Sequence, residues 1–303
     1  MDNRYSKIVK KNPREIVLLK GKPCIYGKCT FCNYIEDNST DEELNNKINL
    51  EVLERITGEF EALEVINSGS VFELPEITLG KIREIVHSKK IKVIWFEAYY
   101  IYKNRLQEIR DYFDGVEVRF KVGIESFDEN FRNNVLNKDL YYKDISELTN
   151  YFENVCLMVG IFGQTEDMIR EDISIGLKNF KRLTINVFIN NGTSIKRDDN
   201  LVKWFENEFS YYLGNFKDGM KEGYGENISL GELYIGEFKC GLFEGKGILK
   251  SPEGKTLEGI WKRNKFVRYE STGLKEKMKI FSENIIINKG TWKKGTVQLA
   301  GSS

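Results

Sequence analysis

The sequence predicts an α/β fold: a partial (β/α)6 barrel followed by a small domain of β-hairpin repeats. Three observations carry this. Short apolar runs alternate with amphipathic stretches through the first 210 residues, glycine rises from 11 there to 15 in the last 93, and that glycine-rich tail repeats itself. Strand-like runs alternating with helix-like stretches are the pattern of a parallel sheet covered by helices. The domain boundaries are accordingly 1–210 and 211–303.

Six strands are expected, at EIVLLK (15–20), LEVIN (63–67), KVIWFE (92–97), VRFKVGIE (118–125), NVCLMVGIF (154–162) and TINVFIN (184–190). Between them, DEELNNKINLEVLERITGEF reads as a helix capped by Ser39 and Thr40. TEDMIREDISIGLKNF reads as another, capped by Thr165 with Glu166 and Asp167 in its first turn. Six strands fall short of a closed eight-stranded barrel, so an open barrel is expected, with its chemistry at the C-terminal strand ends where the βα loops converge.

In the tail, YLGNFKDGMKEGYG (212–225) recurs as YIGEFKCGLFEGKG (234–247), more loosely as LEGIWKRNKF (257–266), and again around KGTWKKG (289–295). Each unit alternates an aromatic with glycine and turns at a glycine, which is how a hairpin repeat of 20 to 25 residues looks in sequence, and the units resemble the MORN repeat. Tyr212, Phe216, Tyr234, Phe238 and Trp261 are expected to stack from hairpin to hairpin.

Composition bounds the function. With 303 residues, 41 % of them apolar, the chain can bury a sizeable core. It has no run near the roughly 20 apolar residues of a membrane helix. Its N-terminal MDNRYSKIVKKNPRE lacks the apolar centre of a signal peptide, so a cytoplasmic protein is expected. The formal charge of +0 hides an asymmetry: residues 1–210 hold 30 Lys and Arg against 35 Asp and Glu, and residues 211–303 hold 16 against 11. The acidic first part is poorly suited to gripping DNA or a whole tRNA. The basic tail keeps contact with a protein or an anionic lipid surface as a candidate role.

Three of the five cysteines, Cys24, Cys29 and Cys32, fall within GKPCIYGKCTFCNY, spaced C-x4-C-x2-C just after the first expected strand. Three thiolates on one loop can each hold one iron of a cubane and leave the fourth iron without a protein ligand. A zinc knuckle is the alternative, but it needs a fourth ligand close by. The sole histidine, His87, and the remaining cysteines, Cys156 and Cys240, are distant in sequence. Cys156, in an apolar strand, reads as a core residue, and His87 as a surface or helix-end residue.

The cysteine segment and four further motifs resemble the radical S-adenosylmethionine (radical SAM) superfamily, although that superfamily usually has three residues between the first two cysteines. Phe31 matches the aromatic before the last cysteine. Ser68, Gly69 and Ser70 stand after the second expected strand, where the superfamily has a small-residue segment ending in an acid that is missing here. FKVGIESFDENFRNNVLNK resembles its fourth strand and following helix, with Glu125 and Ser126 at the strand end. LMVGIFGQTED resembles its fifth-strand segment around Gly160, Ile161 and Gly163. The resemblance implies a 4Fe-4S cluster and S-adenosyl-L-methionine as cofactors. It implies Phe31, Ser68, Gly69, Ser70, Ser126, Gly160, Ile161 and Gly163 as residues around the latter, and flavodoxin or ferredoxin as electron donor.

Within the superfamily, the short core and the VINSGSVFE and GIESFDE segments are similar to a small group of lyases acting on queuine and related 7-deazapurines. This implies cleavage of queuine to 7-aminomethyl-7-deazaguanine, with a free base rather than a tRNA as substrate. Glu97 and Glu125 are then the expected catalytic carboxylates, with Tyr99, Asn186, Asn190 and Asn191 around the base. A carboxylate and carboxamides can read the donor and acceptor edge of a heterocycle. Two other readings remain: a radical SAM enzyme acting on a tRNA-bound deazapurine or a peptide, and a scaffold or membrane tether acting through the repeats.

Overall fold

The computed structural model describes residues 4–9, 12–208, 212–217, 220–229, 232–250, 256–272, 285–288, 292–293 and 296–297. The barrel sheet begins with β1 (Tyr5–Ile8), antiparallel to β2 (Arg14–Leu19), continues in parallel through β3 (Ala62–Asn67), β4 (Val93–Glu97), β5 (Glu117–Glu125) and β6 (Asn154–Val159), and has β7 (Arg182–Val187) next to β6, neighbours following chain order. Sequential order with helical crossovers makes this the expected partial (β/α)6 barrel. All six residues of β2 and of β6 are buried, as parallel strands covered on both faces require.

Strands β2 to β7 are the six expected from the apolar runs, with ends moved by a few residues. β6 stops at Val159 because Gly160 turns the chain at φ +83°. β1 was not expected: at four residues, YSKI, it carries too short an apolar pattern to stand out.

The helices are α1 (Glu42–Leu53), α2 (Glu76–Ser88), α3 (Leu106–Tyr112), α4 (Ser146–Thr149), α5 (Glu166–Asn179) and α6 (Asp199–Glu208). Thr165 caps α5 as expected, accepting a bond from the Met168 amide. The cap of α1 is Asp41 rather than Ser39 or Thr40: its carboxylate accepts from Leu44 N at 2.9 Å, and Ser39 Oγ instead accepts from Asp41 N. His87 is exposed in the last turn of α2, and Cys156 is buried in β6.

Contacts divide the chain into two compact units, Met1–Leu157 with Ile189–Lys196 and Asn288–Ser303, and Met158–Phe188 with Arg197–Ile287. In the second unit β8 (Tyr212–Lys217), β9 (Met220–Ser229), β10 (Glu232–Lys239), β11 (Leu242–Lys250), β12 (Thr256–Lys262) and β13 (Lys265–Tyr269) form a six-stranded antiparallel meander. Its centre is aromatic. Tyr234, Phe238 and Trp261 are buried, the Tyr234 and Phe243 rings stack with centroids 3.7 Å apart, and Phe266 meets Trp261 edge-on. Trp261 Nε1 donates to the Gly247 carbonyl at 3.1 Å, and a Cβ on Gly247 would lie 2.2 Å from Tyr234 Oη, so the ring requires glycine there. The side chains of Tyr212 and Phe216 lie outside the described residues. The last repeat, 289–295, also lies mostly outside them, although Trp292–Lys293 pairs antiparallel with Thr296–Val297. A further strand, β14 (Ile285–Asn288), stands beside β7 in the barrel sheet.

Candidate functional site

The cysteine loop follows β2 and is tied down along its length. Thr30 donates through its amide to Leu136 O (3.1 Å) and through its hydroxyl to Val135 O (2.8 Å). Tyr26 Oη donates to Asn137 O at 2.7 Å, and Asn137 Nδ2 donates to Lys28 O at 2.8 Å. Asn191 Nδ2 donates to Phe31 O at 2.7 Å, and Asn33 Nδ2 to Asn191 O at 3.0 Å. Phe31 is buried between half-buried Cys29 and Cys32, and all three thiols of the triad are free. Burial pushes the Cys29 thiol up to about 12 and Cys32 upward, with the Lys138 ammonium acting against the rise at both.

Thiols that resist ionisation, as those of Cys29 and Cys32 do, need a cationic group to hold them as thiolates. Among the described residues no three His, Cys, Asp or Glu side chains close on one metal ion. Three thiols on one loop are a donor set that could hold three irons of a cubane.

Beside the loop, β3 ends in Asn67 and the chain passes Ser68 and Gly69 to Ser70, which opens the 3-10 turn Val71–Glu73. Here the structure supplies the acid that the segment itself lacks. The buried Glu73 carboxylate folds back to accept from the Ser70 amide, from Tyr102 Oη at 3.0 Å and from the Ile25 amide at 3.5 Å. It lies against Gly69, where an added Cβ would sit 2.9 Å from Glu73 Oε2 and 3.5 Å from Cys24 Cα, so glycine is what lets this segment meet the cysteine loop. Burial raises the Glu73 carboxyl, against the hydrogen bond from Tyr102. Asn67 Nδ2 donates to Ser70 O, and its Oδ1 is buried without a hydrogen-bond partner.

The barrel interior carries a chain of charges. Arg14 pairs with Glu64, Glu64 Oε1 accepts from Lys121 Nζ at 2.6 Å, and the same ammonium lies 3.0 Å from Glu97 Oε1. The register explains it: Glu97 at the end of β4 is opposite Lys121 in β5. Burial works against the Lys121 charge, but Glu64 and Glu97 hold it above the ordinary lysine range. Glu97 is the most accessible member, its side chain 28 % exposed, and burial raises its carboxyl while Lys121 opposes this.

A bulge between Gly123 and Glu125 brings the second carboxylate round. Glu125 takes φ +67°, lies over Gly123, and accepts from Lys138 Nζ at 2.8 Å. Ser126, buried behind it, accepts from the Asp128 amide, and its carbonyl accepts from the fully buried Arg132. Tyr99 Oη donates to Lys138 O at 2.6 Å, and its ring stacks on Tyr26 at 5.6 Å.

One compact unit thus gathers Cys24, Cys29, Cys32, Phe31, Ser68, Gly69, Ser70, Glu97, Tyr99, Glu125 and Ser126. Asn191 also belongs to it, with its carboxamide engaged by the cysteine loop, and Asn190 is exposed. Gly160, Ile161, Gly163 and half-buried Asn186 belong to the second unit. There Gly160 and Gly163 have positive φ, and a Cβ on Gly160 would fall 2.2 Å from Val202 Cγ2. Gln164 holds the turn by accepting from Ile161 N and donating to Met158 O. Sequence reasoning missed Glu73, Lys121 and Lys138. A lysine inside the buried run FKVGI was the available signal for Lys121, because such a charge needs partners.

A solved structure, the queuine lyase from Clostridium spiroforme bound to SAM and queuine, is 52 % identical and superposes with a TM-score of 0.68, covering 69 % of this chain and 91 % of that one. The chain belongs to the queuine lyase family. The radical SAM resemblance read from the cysteine segment and strand ends therefore stands. A curated relative, an uncharacterized protein of Methanocaldococcus jannaschii, is 29 % identical over 148 residues, 43 % of this chain. The chain spans 40 % of that relative's length. Residues 212–226 and 234–256 match the MORN repeat, as the glycine and aromatic pattern of the tail implied. No helix among the described residues is long and apolar enough to cross a membrane.

Proposed function

We propose that this protein is a radical SAM lyase that cleaves queuine to 7-aminomethyl-7-deazaguanine, breaking the carbon–nitrogen bond to the cyclopentenediol. The observation that carries this reading is 52 % identity, across 91 % of its chain, to a queuine lyase bound to SAM and queuine. Cys24, Cys29 and Cys32 would hold a 4Fe-4S cluster, which together with S-adenosyl-L-methionine would supply the radical chemistry that opens the reaction.

The protein's own residues bind and orient. Ser68, Gly69 and Ser70, braced by Glu73, present backbone to the methionine end of the cofactor, and Phe31 and Ser126 line its nucleoside end. Glu97 and Glu125 read the N–H edge of the deazaguanine, because carboxyl oxygens accept hydrogen bonds from such donors. Tyr99 stacks near the base, with Asn190 at its rim. Asn191 has a different duty, since its bonds to Phe31 O and Asn33 brace the cysteine loop. Flavodoxin or ferredoxin is the electron donor, in the cytoplasm, and residues 211–303 form an accessory domain for protein or anionic-lipid contact.

Anaerobically reconstituted protein given queuine, S-adenosyl-L-methionine and a reductant should yield 7-aminomethyl-7-deazaguanine and 5′-deoxyadenosine by mass spectrometry. Formation of 5′-deoxyadenosine with queuine left intact would move the protein to another substrate.

A further inference from the structure

We propose that Lys138 is a positioning residue that sets the reduction potential of the cluster at the cysteine triad, in opposition to its buried partner Glu125. This rests on the reading of Cys24, Cys29 and Cys32 as cluster ligands.

Lys138 is held in place by unusual backbone. The residues on either side of it, Asn137 and Asp139, are non-glycine residues at φ +48° and +49°, and the preceding turn, Phe131–Val135, is a π-helix. Non-glycine residues in this region cost free energy and persist where their surroundings over-determine them. Here the surroundings do so: Lys138 N donates to Arg132 O at 3.1 Å, its carbonyl accepts from Tyr99 Oη, and Asn137 is bonded to the cysteine loop in both directions.

This conformation drives an ammonium inward. Lys138 is 8 % exposed, and its Nζ lies 5.3 Å from the centre of the Phe31 ring, 5.9 Å from that of Tyr99 and 2.8 Å from Glu125 Oε1. Phe31 directly precedes Cys32 and lies two residues after Cys29, and Asn137 is bonded to Lys28 and Tyr26 of the same loop, so the ammonium and its carboxylate partner are packed against the segment that carries these thiols. Potentials of iron–sulfur clusters follow the net charge around them, and burial strengthens each charge. Reduction adds one negative charge to the cluster. The ammonium favours that step and the carboxylate opposes it, so the pair holds the potential between two extremes.

The test is an anaerobic redox titration followed by electron paramagnetic resonance, without S-adenosyl-L-methionine, on reconstituted wild-type, Lys138→Gln, Glu125→Gln and the double variant. Iron and acid-labile sulfide are measured on each. Lys138→Gln should move the potential negative, Glu125→Gln should move it positive, and the double variant should return close to wild type. A purely structural role would lower cluster loading in both single variants without opposite shifts. Equal potentials in all loaded proteins, or shifts of the same sign, would overturn the inference. If Lys138→Gln does not load, the sign of the Glu125→Gln shift decides, and a zero or negative shift overturns it. Wild-type protein without iron and sulfide overturns the cluster reading as well, which is a distinguishable result.

Discussion

Replacing Lys121 by methionine removes the ammonium that joins Glu64 to Glu97 and leaves methylene bulk in its place. Lys121 and Glu64 have side chains only 5 % exposed, so the lost interactions are not shared with solvent. Breaking a buried pair by removing one partner costs about 3–5 kcal/mol. Glu64 keeps Arg14, and Glu97 can take up a proton, which puts the loss toward the lower end. Melting followed by calorimetry should show the barrel transition fall by about 10 °C, at roughly 2–4 °C per kcal/mol for a domain of this size.

The pH dependence has a definite sign. Glu64 is held well below the ordinary carboxylate range in the folded protein: burial works against this, and Lys121 and Arg14 outweigh it. Its contribution is therefore present above the unfolded value of about 4.3 and is lost as pH falls through the folded value. The Lys121 charge is held above the ordinary lysine range, so its contribution is present below about 10.4 and lost as pH rises through the folded value. Because Glu97, raised by burial, takes up its proton more readily once Lys121 is gone, the gap between wild type and variant should narrow as pH falls, first through Glu97 and then through Glu64, and narrow again on the alkaline side as Lys121 loses its charge. A variant melting within 1 to 2 °C of wild type at pH 7 would refute the charge chain as an element of stability.

Cys29→Ala should abolish the brown colour and the visible iron–sulfur absorbance of reconstituted protein, and with them 5′-deoxyadenosine formation, measured by spectroscopy and chromatography. Glu73→Ala removes a buried acceptor of three bonds. At about 1.5–3 kcal/mol per hydrogen bond to a charged group, it should lower the barrel's melting temperature and weaken S-adenosyl-L-methionine binding at least tenfold in calorimetric titration. Gly247→Ala places a methyl 2.2 Å from Tyr234 Oη and should destabilise the meander by about 1–3 kcal/mol, read by limited proteolysis, while turnover of queuine stays unchanged.

Most of the barrel was legible because its strands are buried on both faces and read as continuous apolar runs, as EIVLL and NVCLMV do. β1 was not, because a four-residue edge strand has too little pattern. The α1 cap went to Asp41 because three adjacent residues, Ser39, Thr40 and Asp41, all suit the position, and composition alone cannot rank them. The cysteine loop and the strand-end carboxylates could be read from spacing and resemblance. Their supports could not: Glu73 acts through a 3-10 turn that folds it back on the segment before it, and Lys138 reaches Glu125 through backbone geometry that sequence does not announce. Asn191 reads from the sequence as a residue around the base, and only the fold reveals that its carboxamide is engaged by Phe31 O and Asn33.

The most direct measurement uses queuine deuterated throughout its cyclopentenediol, incubated anaerobically with the reduced, reconstituted protein and S-adenosyl-L-methionine. A lyase that starts by abstracting a hydrogen from that ring transfers deuterium into 5′-deoxyadenosine while 7-aminomethyl-7-deazaguanine accumulates. Unlabelled 5′-deoxyadenosine formed at the same rate with and without queuine would contradict the account.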